Sequence, residues 1–237
     1  MSMLGLLQAA GEPVLDWLYP PRCAACGAAL HPGQRWFCEP CLASLEPLSG
    51  PRCPVCGAPG TAALCPTCRR APPPYHQLRS GYCYGGAVAA TLRQYKYGGR
   101  LDLARPLGAL LAPLLPPPEA LLVAVPPSRR ALRERGFDAL HTVLRVARRR
   151  AVIARPTRLL RRVDGGPPQA SLSARERERL PAAAFRIDAR RGDVLEGRAV
   201  VLVDDVITTG ATVRACSAVL RAGGARRVEV VSLARNR

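Results

Sequence analysis

The sequence is poor in lysine and histidine, and it lacks a nucleotide-binding P-loop. Lys96 is the only lysine among 35 positively charged residues, and there are only 3 histidines. None of the histidines falls in a motif, so the sequence offers no persuasive histidine as a general base. No run of the form Gly-x-x-x-x-Gly-Lys-Ser/Thr occurs, which excludes the usual phosphate loop of ATPases and GTPases.

We expect neither a membrane span nor a secretory signal. Residues 107–125 are largely apolar, but they are interrupted by Pro113 and by the prolines at 116–118. A lipid-facing helix would not tolerate these interruptions. Residues 1–17 lack the basic leading region of a secretory signal. We therefore expect a cytoplasmic protein that does not insert into the membrane.

The chain is strongly basic, with 35 positive residues against 17 carboxylates and a net charge of +18. Such an excess points to anionic partners such as phosphates or nucleic acid. The 237 residues, of which 48% are hydrophobic, are enough for one ordinary domain with a buried core and a small additional module.

Residues 199–212 contain the most specific chemical pattern in the chain. The apolar run 199–203 is typical of a strand buried on both faces of a parallel sheet, and Asp204 and Asp205 follow it. A loop of small residues then leads to a predicted helix over residues 211–222. A Walker-B-like metal site is the alternative, but it needs the phosphate loop that the sequence lacks.

This arrangement suits a sugar phosphate. Asp204 and Asp205, the predicted catalytic residues, can accept hydrogen bonds from vicinal hydroxyls, directly or through Mg²⁺. The start of the helix offers free backbone N–H groups and the positive end of its dipole to a phosphate. The stretch resembles the loop of type I phosphoribosyltransferases that binds phosphoribosyl pyrophosphate (PRPP). That resemblance implies PRPP contacts at Thr208, Thr209, Gly210, Ala211 and Thr212.

Most of the 10 cysteines fall into Cys-x-x-Cys pairs. Each pair can supply two sulfurs to a metal ion, and zinc prefers four such ligands in a tetrahedron. A disulfide framework would need an oxidising compartment, and a redox pair usually occurs alone beside a βαβ unit. We therefore expect one or two structural zinc ions, bound by Cys23, Cys26, Cys38, Cys41, Cys53, Cys56, Cys65 and Cys68.

The cysteine pairs form two similar halves, because a glycine, Gly27 or Gly57, directly follows the first pair of each half. The repeat favours sequential pairing, in which each half binds its own zinc. One complete site with a weaker second site is the alternative. A proline-rich connector at residues 70–75 places the module in residues 1–72 and a second domain in residues 73–237. We expect the two to be independent.

Two further segments are candidates for binding the pyrophosphate of PRPP. Lys96 precedes two glycines, where an ammonium could bind a phosphoryl oxygen, although a solvated lysine at a helix end is the alternative. A predicted strand over residues 121–125 leads into an arginine-containing loop at the sheet edge where such folds bind ligands. The candidates in this loop are Ser128, Arg129, Arg130 and Arg135.

Residues 129–162 contain twelve arginines and two carboxylates. A generic basic face is the simplest interpretation; contact with nucleic acid is the alternative, although aromatic residues for base stacking are sparse here. This segment is predicted to form a helix over residues 139–150 and a strand around residues 157–160. Residues 161–185 are too long for a simple connection, and we predict a flap that closes over bound substrate.

The order of these motifs resembles that of the ComF family of competence-associated, phosphoribosyltransferase-like proteins, over almost the whole chain. The resemblance implies an α/β type I phosphoribosyltransferase fold, a parallel sheet flanked by helices, with a small N-terminal zinc-ribbon module of the four-cysteine kind. It also implies functional roles for Lys96, Arg129, Arg130, Arg135 and Gln169. Two departures are the pair Asp138 and Ala139, where members often have Asn-Gln, and Leu180, where an asparagine is common.

Two functions are compatible with this resemblance. The first is a PRPP-binding, phosphoribosyltransferase-like protein in DNA uptake and natural transformation, with transfer to an unknown acceptor. The second is a non-catalytic adaptor that binds single-stranded DNA and is regulated by PRPP. Purine-type relatives have an acidic residue at the position of Thr208, which is a weak proton acceptor. The resemblance also implies helicase or channel proteins of DNA uptake as partners.

Overall fold

The computed structural model describes residues 21–60, 62–149, 151–163, 184–189 and 194–236. The strands in these residues are β1 (Gln77–Cys83), β2 (Leu121–Ala124), β3 (Pro156–Thr157), β4 (Leu160–Arg162), β5 (Phe185–Ile187), β6 (Ala199–Ile207) and β7 (Arg227–Arg235). The α-helices are α1 (Glu39–Ala43), α2 (Pro66–Arg70), α3 (Gly86–Tyr97), α4 (Ala104–Leu111), α5 (Arg129–Arg135), α6 (Ala139–Arg148) and α7 (Ala211–Ala222).

The core of the molecule is a parallel sheet of 5 strands in the order β1-β7-β6-β2-β3. All four neighbouring pairs in this sheet are parallel. The apolar runs of β2 and β6 lie in its middle, and Leu122, Leu202 and Val203 have no exposed surface. Burial on both faces explains why these strands are continuous apolar runs, without the alternation of a half-exposed strand. The predicted α/β architecture is confirmed.

Helices cover both faces of the sheet. Helices α3, α4 and α6 pack together, and α4 also contacts β7. Helix α7 packs against β5, β6 and β7. The predicted helix over residues 211–222 is confirmed at both ends: it begins after Gly210, which has a positive φ of 79°, and is followed by Gly223. Within the described residues, no helix is both long enough and apolar enough to cross a membrane.

Two strand predictions need correction. The strand expected around residues 157–160 is wrong, because β3 ends at Thr157 and β4 begins at Leu160 in a separate, two-stranded antiparallel sheet. The carbonyl of Leu159 between them accepts a hydrogen bond from Asp188, at 2.8 Å. Strand β6 is longer than its apolar run, because its pairing with β7 continues to Ile207. The two carboxylates therefore lie inside the strand.

Residues 21–60 and 62–70 form two small cysteine-rich units that contact α3 and the edge strand β1. An isolated bridge joins Pro47 to Tyr82 of β1, and Gly81 accepts a backbone hydrogen bond from Leu48 at 2.9 Å. Prolines 72–74 separate α2 from β1. The division of the chain at residue 72 itself stays a prediction.

Candidate functional site

The two adjacent carboxylates point to opposite faces of the sheet. Asp204 pairs with Ser232 in the register of β6 with β7, and Asp205 follows it directly. Successive side chains of a strand alternate between faces. Asp204 lies on the face of α7, where its charge contributes to raising the pKa of the buried thiol of Cys216. Asp205 lies on the other face, where it contacts Lys96 of α3.

Among the described residues, Asp204 has no counter-ion of its own. The backbone N–H of Asp205 donates a hydrogen bond of 2.8 Å to Asp204 Oδ1. Burial, and secondarily the charge of Asp205, raise the pKa of Asp204 to about 7. In the described part of the chain, no lysine or arginine forms a salt bridge with this carboxylate. A carboxylate in this position is stabilised by a cation or by hydroxyl donors from a ligand.

Asp205, in contrast, forms a salt bridge with Lys96, the one lysine of the chain. Both side chains are mostly buried, at 17% exposure for Lys96 and 24% for Asp205. The pair forms the charged part of a cavity of about 10 Å³, which is otherwise lined mainly by apolar side chains. The structure thus places Lys96 beside the acidic pair, where its ammonium contacts a carboxylate. Its role toward a phosphate stays a prediction.

The segment Tyr95-Lys96-Tyr97 connects three parts of the site. The Tyr95 hydroxyl donates to the carbonyl of Ala139 at 2.9 Å, and the Tyr95 ring contacts Phe137 edge-on at 5.4 Å between centroids. The Tyr97 hydroxyl accepts a hydrogen bond of 3.0 Å from Arg135, whose guanidinium lies 4.9 Å from the centre of the same ring. These contacts of the two tyrosines were not predicted from the sequence. Their position on either side of Lys96 could have indicated that they belong to the site.

The predicted phosphate loop lies at the carboxyl end of β6. Thr208 and Thr209 are exposed, and Thr209 Oγ1 accepts a hydrogen bond of 3.3 Å from the backbone N–H of Ala211. Gly210 caps the N-terminus of α7, and Thr212 lies half-buried in its first turn. The first N–H groups of an α-helix have no partner within the helix, so they face the loop as potential donors to an anion.

The arginine-containing loop lies next to this phosphate loop. Strands β2 and β6 are neighbours, and Val125 N–H donates to Val203 at 2.9 Å just where β2 ends. Arg129 and Arg130 begin α5 and are exposed. The hydroxyl of Ser128 caps α5 by accepting a hydrogen bond of 3.1 Å from Ala131. This capping role was missed, although serine before a helix is a recognised signal.

The other residues predicted to bind PRPP have different partners in the structure. Arg130 forms a salt bridge of 2.6 Å with Glu134, one turn along α5. Arg135 is hydrogen-bonded to Tyr97, so its guanidinium lies next to the Tyr95–Tyr97 segment. Gln169 and most of the predicted flap lie outside the described residues. The two ends of that flap pair with each other as β4 and β5.

The eight paired cysteines form two clusters, Cys23/Cys26/Cys38/Cys41 and Cys53/Cys56/Cys65/Cys68. Within each cluster, all ligand sulfurs lie within 4.8 Å of one another. The Sγ–Sγ distances are 3.7 Å for Cys26 and Cys38, and 3.6 Å for Cys56 and Cys65. Zn–S bonds of about 2.3 Å put the sulfurs of a tetrahedron about 3.8 Å apart, so the cysteines fit zinc. The same distances exclude disulfides, and sequential pairing is confirmed.

Each cluster contains one thiol that ionises readily. Burial raises the pKa of Cys23, but backbone N–H donors, among them that of Cys38 at 3.4 Å, lower it overall to about 6. The second cluster repeats this arrangement: burial raises the pKa of Cys53, and donors such as the N–H of Cys65, at 3.4 Å, lower it to about 6. Backbone donors that stabilise thiolates are typical of zinc ribbons. Four thiolates leave no open position for water, so both sites are structural.

Comparison with known proteins agrees with this geometry. A double zinc ribbon domain matches residues 14–69, and a phosphoribosyl transferase domain matches residues 160–237. The chain is 30% identical over 227 residues to DNA utilization protein YhgH of Escherichia coli (strain K12), which covers 91% of this chain and 97% of that protein. The chain belongs to the ComF family.

A second relative in the ComF family is Competence protein F of Haemophilus influenzae (strain ATCC 51907 / DSM 11121 / KW20 / Rd). It is 27% identical over 225 residues, or 90% of this chain and 96% of that protein. A solved structure, described as the allosteric regulatory enzyme of purine biosynthesis, shares 23% identity at a TM-score of 0.38, over 59% of this chain and 29% of its own. The predicted phosphoribosyltransferase-like fold with an N-terminal zinc-ribbon module is confirmed.

One departure from the usual ComF pattern has a structural explanation. Asp138 begins α6, and its carboxylate accepts a hydrogen bond of 3.1 Å from the N–H of His141. Aspartate and asparagine are both good residues at this position, so the substitution preserves the helix cap. Asp138 also pairs with Arg158 at 3.5 Å, which an asparagine would do only weakly. The other departure, Leu180, lies outside the described residues.

Proposed function

We propose that this ComF protein binds PRPP together with Mg²⁺ at the carboxyl ends of β6 and β2, and that it acts in DNA utilisation. The names of its relatives, DNA utilization protein and Competence protein, support the second part. The first part rests above all on Asp204. This half-buried carboxylate has no counter-ion among the described residues and lies a few residues before a glycine-capped helix N-terminus.

In this proposal the acidic pair recognises the ribose. Asp204 accepts hydrogen bonds from the ribose hydroxyls or holds them through Mg²⁺, whose preferred ligands are oxygens. Asp205 points to the opposite face of β6 and takes part after its side chain leaves Lys96 and turns toward the ligand. The metal also neutralises the charge of the pyrophosphate. Because the salt bridge with Lys96 already occupies Asp205, Asp204 is the first carboxylate available to the ligand. Displacement of Lys96 from Asp205 would free its ammonium for a phosphoryl oxygen.

The two phosphate ends bind on either side of the ribose. The 5-phosphate contacts the backbone N–H groups of residues 209–212 and the hydroxyls of Thr208, Thr209 and Thr212. The pyrophosphate lies toward Arg129 and Arg130, exposed on the neighbouring loop. Arginine suits this task because its planar guanidinium binds phosphate oxygens in pairs. Ser128, Arg135 and Gln169 complete the proposed PRPP contacts.

Phosphoribosyl transfer would follow from this binding mode. The bond between C1 of the ribose and the pyrophosphate oxygen breaks, and a bond from C1 to the acceptor nucleophile forms. The leaving pyrophosphate takes the bonding electron pair and is stabilised by Arg129 and Arg130. The acidic pair holds the ribose hydroxyls while positive charge develops at C1.

A second candidate function is PRPP binding without turnover, in an adaptor that contacts single-stranded DNA. The observation that favours it is Thr208, an exposed threonine at the position where purine-type enzymes carry an acidic residue. No histidine contacts the acidic pair within the described part of the chain. His141 lies on the outer side of α6. A binding protein without a proton acceptor would respond to PRPP and leave it intact.

Calorimetry with PRPP and Mg²⁺ tests the proposed binding. We expect the double variant Asp204→Asn/Asp205→Asn to lose at least about tenfold in affinity, because it removes both carboxylates of the acidic pair. Asp102→Asn is the control, since the exposed Asp102 pairs with Arg100, outside the acidic pair. Equal binding by the double variant and the wild type would refute the proposal.

Release of pyrophosphate separates the two functions. Wild-type protein is incubated with PRPP, Mg²⁺ and nucleobases, nucleotides or DNA ends, and pyrophosphate is measured. Release that depends on Asp204 and Asp205 supports transfer. Tight binding of PRPP without release in any mixture supports the adaptor.

A further inference from the structure

A basic groove lies on the outer side of α6, next to the edge strand β3. Its volume is about 1160 Å³. No carboxylate is among the residues that line it. The basic residues of the lining are His141, Arg145, Arg148, Arg149, Arg155 and Arg158. We call this feature the arginine groove.

The spacing of residues along α6 produces one wall of the arginine groove. His141, Arg145 and Arg148 are separated by four and three positions, which places them on one face of an α-helix. The opposite face is buried in the core through Leu140, Val143, Leu144 and Ala147. The other wall comes from the chain around β3, because Arg155 and Arg158 directly precede and follow Pro156–Thr157. A single amphipathic helix therefore holds the core on one side and a row of positive charges on the other.

Most of these charges have no salt-bridge partner among the residues that the structure describes. Arg158 pairs with Asp138 at 3.5 Å. Within the described residues, none of Arg145, Arg148, Arg149 and Arg155 forms a salt bridge with a carboxylate. Burial, and after it the charge of Arg158, lower the pKa of His141, so the groove disfavours a further positive charge. Positive charges concentrated in a concave surface attract anions more strongly than the same charges spread over a convex one.

The arginine groove is separate from the acidic pair. Pro118 precedes β2 and Arg155 precedes β3, so this part of the groove lies at the amino edge of the sheet. Asp204 and the loop to α7 lie toward the opposite, carboxyl edge. The groove shares no lining residue with the cavity beside Lys96 and Asp205. A ligand in the groove would leave the proposed PRPP site free.

We infer that the arginine groove binds the phosphodiester backbone of a nucleic-acid strand. Small-molecule pockets typically measure roughly 300–1,000 Å³ and are mostly apolar, whereas this groove is larger, open and arginine-lined. Repeated guanidinium groups suit repeated phosphates, which they bind in a bidentate manner. The lining contains no phenylalanine, tyrosine or tryptophan on which bases could stack. Binding is therefore directed at the backbone and independent of sequence. This inference does not rest on PRPP binding.

Fluorescence anisotropy with labelled oligonucleotides tests the inference. The variant is Arg145→Gln/Arg148→Gln/Arg155→Gln. The control, Arg93→Gln/Arg105→Gln/Arg226→Gln, changes three exposed arginines elsewhere and alters the net charge equally. We expect the groove variant to lose about 10- to 100-fold in affinity for single strands at low salt, and the control to change by less than about threefold.

A salt series makes the test quantitative. In a plot of the logarithm of affinity against the logarithm of salt concentration, each phosphate contact to a single strand contributes about −0.7 to the slope. Removal of three contacts should therefore make the slope less negative by about 2. Oligothymidine and mixed sequences should bind alike. Parallel titrations with duplex DNA and single-stranded RNA identify which nucleic acid is preferred.

Three outcomes would overturn the inference. These are an unchanged groove variant, equal losses in the groove and control variants, and binding of polyglutamate as tight as that of the oligonucleotides. Circular dichroism and PRPP calorimetry on both variants verify folding. Loss of DNA binding with PRPP binding intact would support the groove. Failure of PRPP binding in the wild type would refute only the proposed function.

Discussion

The two zinc ribbons share one pattern but are joined to the rest of the molecule in different ways. In the first ribbon only Cys23 is buried, while all four cysteines of the second, Cys53, Cys56, Cys65 and Cys68, are buried. The surrounding apolar residues show the opposite trend. Ala24, Leu30 and Phe37 of the first ribbon belong to the core of the large domain, whereas the cysteines of the second form a small cluster of their own.

Their polar attachments differ as well. The first ribbon is bound to helix α3, where Gln94 donates a hydrogen bond of 2.7 Å to the carbonyl of Ala25. The second is bound to the sheet edge, where the carbonyl of Val55 accepts a hydrogen bond of 2.7 Å from Leu78 of β1. Helix α3 also carries Lys96, the partner of Asp205. The first ribbon therefore contacts the helix that carries the partner of Asp205, whereas the second contacts the edge of the sheet.

Removing one zinc ligand from each ribbon should produce the largest difference. Cys26→Ser and Cys56→Ser change equivalent positions, and each should reduce the zinc content from two ions to one. Because the first ribbon holds α3, we expect Cys26→Ser to weaken PRPP binding about tenfold and Cys56→Ser by less than about threefold. Metal analysis by mass spectrometry and PRPP calorimetry measure both effects. A larger loss of PRPP affinity in Cys56→Ser than in Cys26→Ser would contradict this difference between the ribbons.

This expectation revises the view that the zinc module and the later domain are independent. Sequence alone suggested independence, because a proline-rich connector separates them. The shared core of Ala24, Leu30 and Phe37 with the large domain argues against it for the first ribbon. Chelation should therefore weaken PRPP binding as well as unfold the ribbons. Full PRPP binding after chelation would restore the simpler view.

The matched glycines of the ribbons give the second largest effect. Gly27 and Gly57 both have positive φ, at 78° and 67°, so alanine is strained at either position. A Cβ on Gly57 would lie 2.8 Å from the carbonyl oxygen of Leu78, but a Cβ on Gly27 meets nothing within 4 Å. We expect Gly27→Ala to lower the free energy of unfolding by about 1 kcal/mol and Gly57→Ala by about 3 kcal/mol.

Denaturant unfolding of the zinc-loaded variants measures this difference. Equal losses in Gly27→Ala and Gly57→Ala would show that the contact between the second ribbon and β1 accommodates a methyl group without loss of stability. The two ribbons would then differ less in their attachment than we infer. A larger loss in Gly27→Ala would reverse it.

The smallest expected difference between the ribbons lies in the pH dependence of stability. Burial raises the pKa of Asp204 from the ordinary carboxyl range to about 7. A raised pKa of the folded state means that the contribution of this group to stability is present below its ordinary pKa and is lost as the pH rises through about 7. Asp204→Asn removes the ionisation. We therefore expect the free energy of unfolding of the wild type to fall by roughly 2 kcal/mol more than that of Asp204→Asn as the pH rises from 5 to 8.

Urea unfolding at pH 5 and pH 8 gives the measurement, and it also tests the ribbons. The charge of Lys96 lowers the pKa of Asp204, so the wild-type loss at pH 8 should grow in Cys26→Ser and stay constant in Cys56→Ser. The same pH dependence in the wild type and Asp204→Asn would contradict the assignment to this carboxyl group.

Much of the local structure could be predicted from the chain. The helix over residues 211–222 was predicted correctly at both ends, because Gly210 and Gly223 mark its boundaries. The grouping of the cysteines followed from their spacing and from Gly27 and Gly57. The strand around residues 157–160 was wrong, because a short apolar segment does not reveal that the chain leaves one sheet for another after Thr157.

The candidate site was less predictable than the fold. Asp204, Asp205 and Lys96 were recognised by residue type, but nothing in the pattern indicated that Lys96 would contact Asp205 or that Asp204 would lack a counter-ion among the described residues. The capping role of Ser128 and the contact of Tyr97 with Arg135 were missed for the same reason.

Spacing and residue type were sufficient for features made by neighbours along the chain: helix ends, cysteine pairs, the buried strand and the row of arginines on α6. These depend on repeat distances of helices and strands, which the order of residues contains. The partners of Asp205 and Arg135 were decided only when distant segments packed together. Side-chain contacts between such segments depend on the three-dimensional arrangement of α3, β6 and α5, and many arrangements are compatible with the same local pattern.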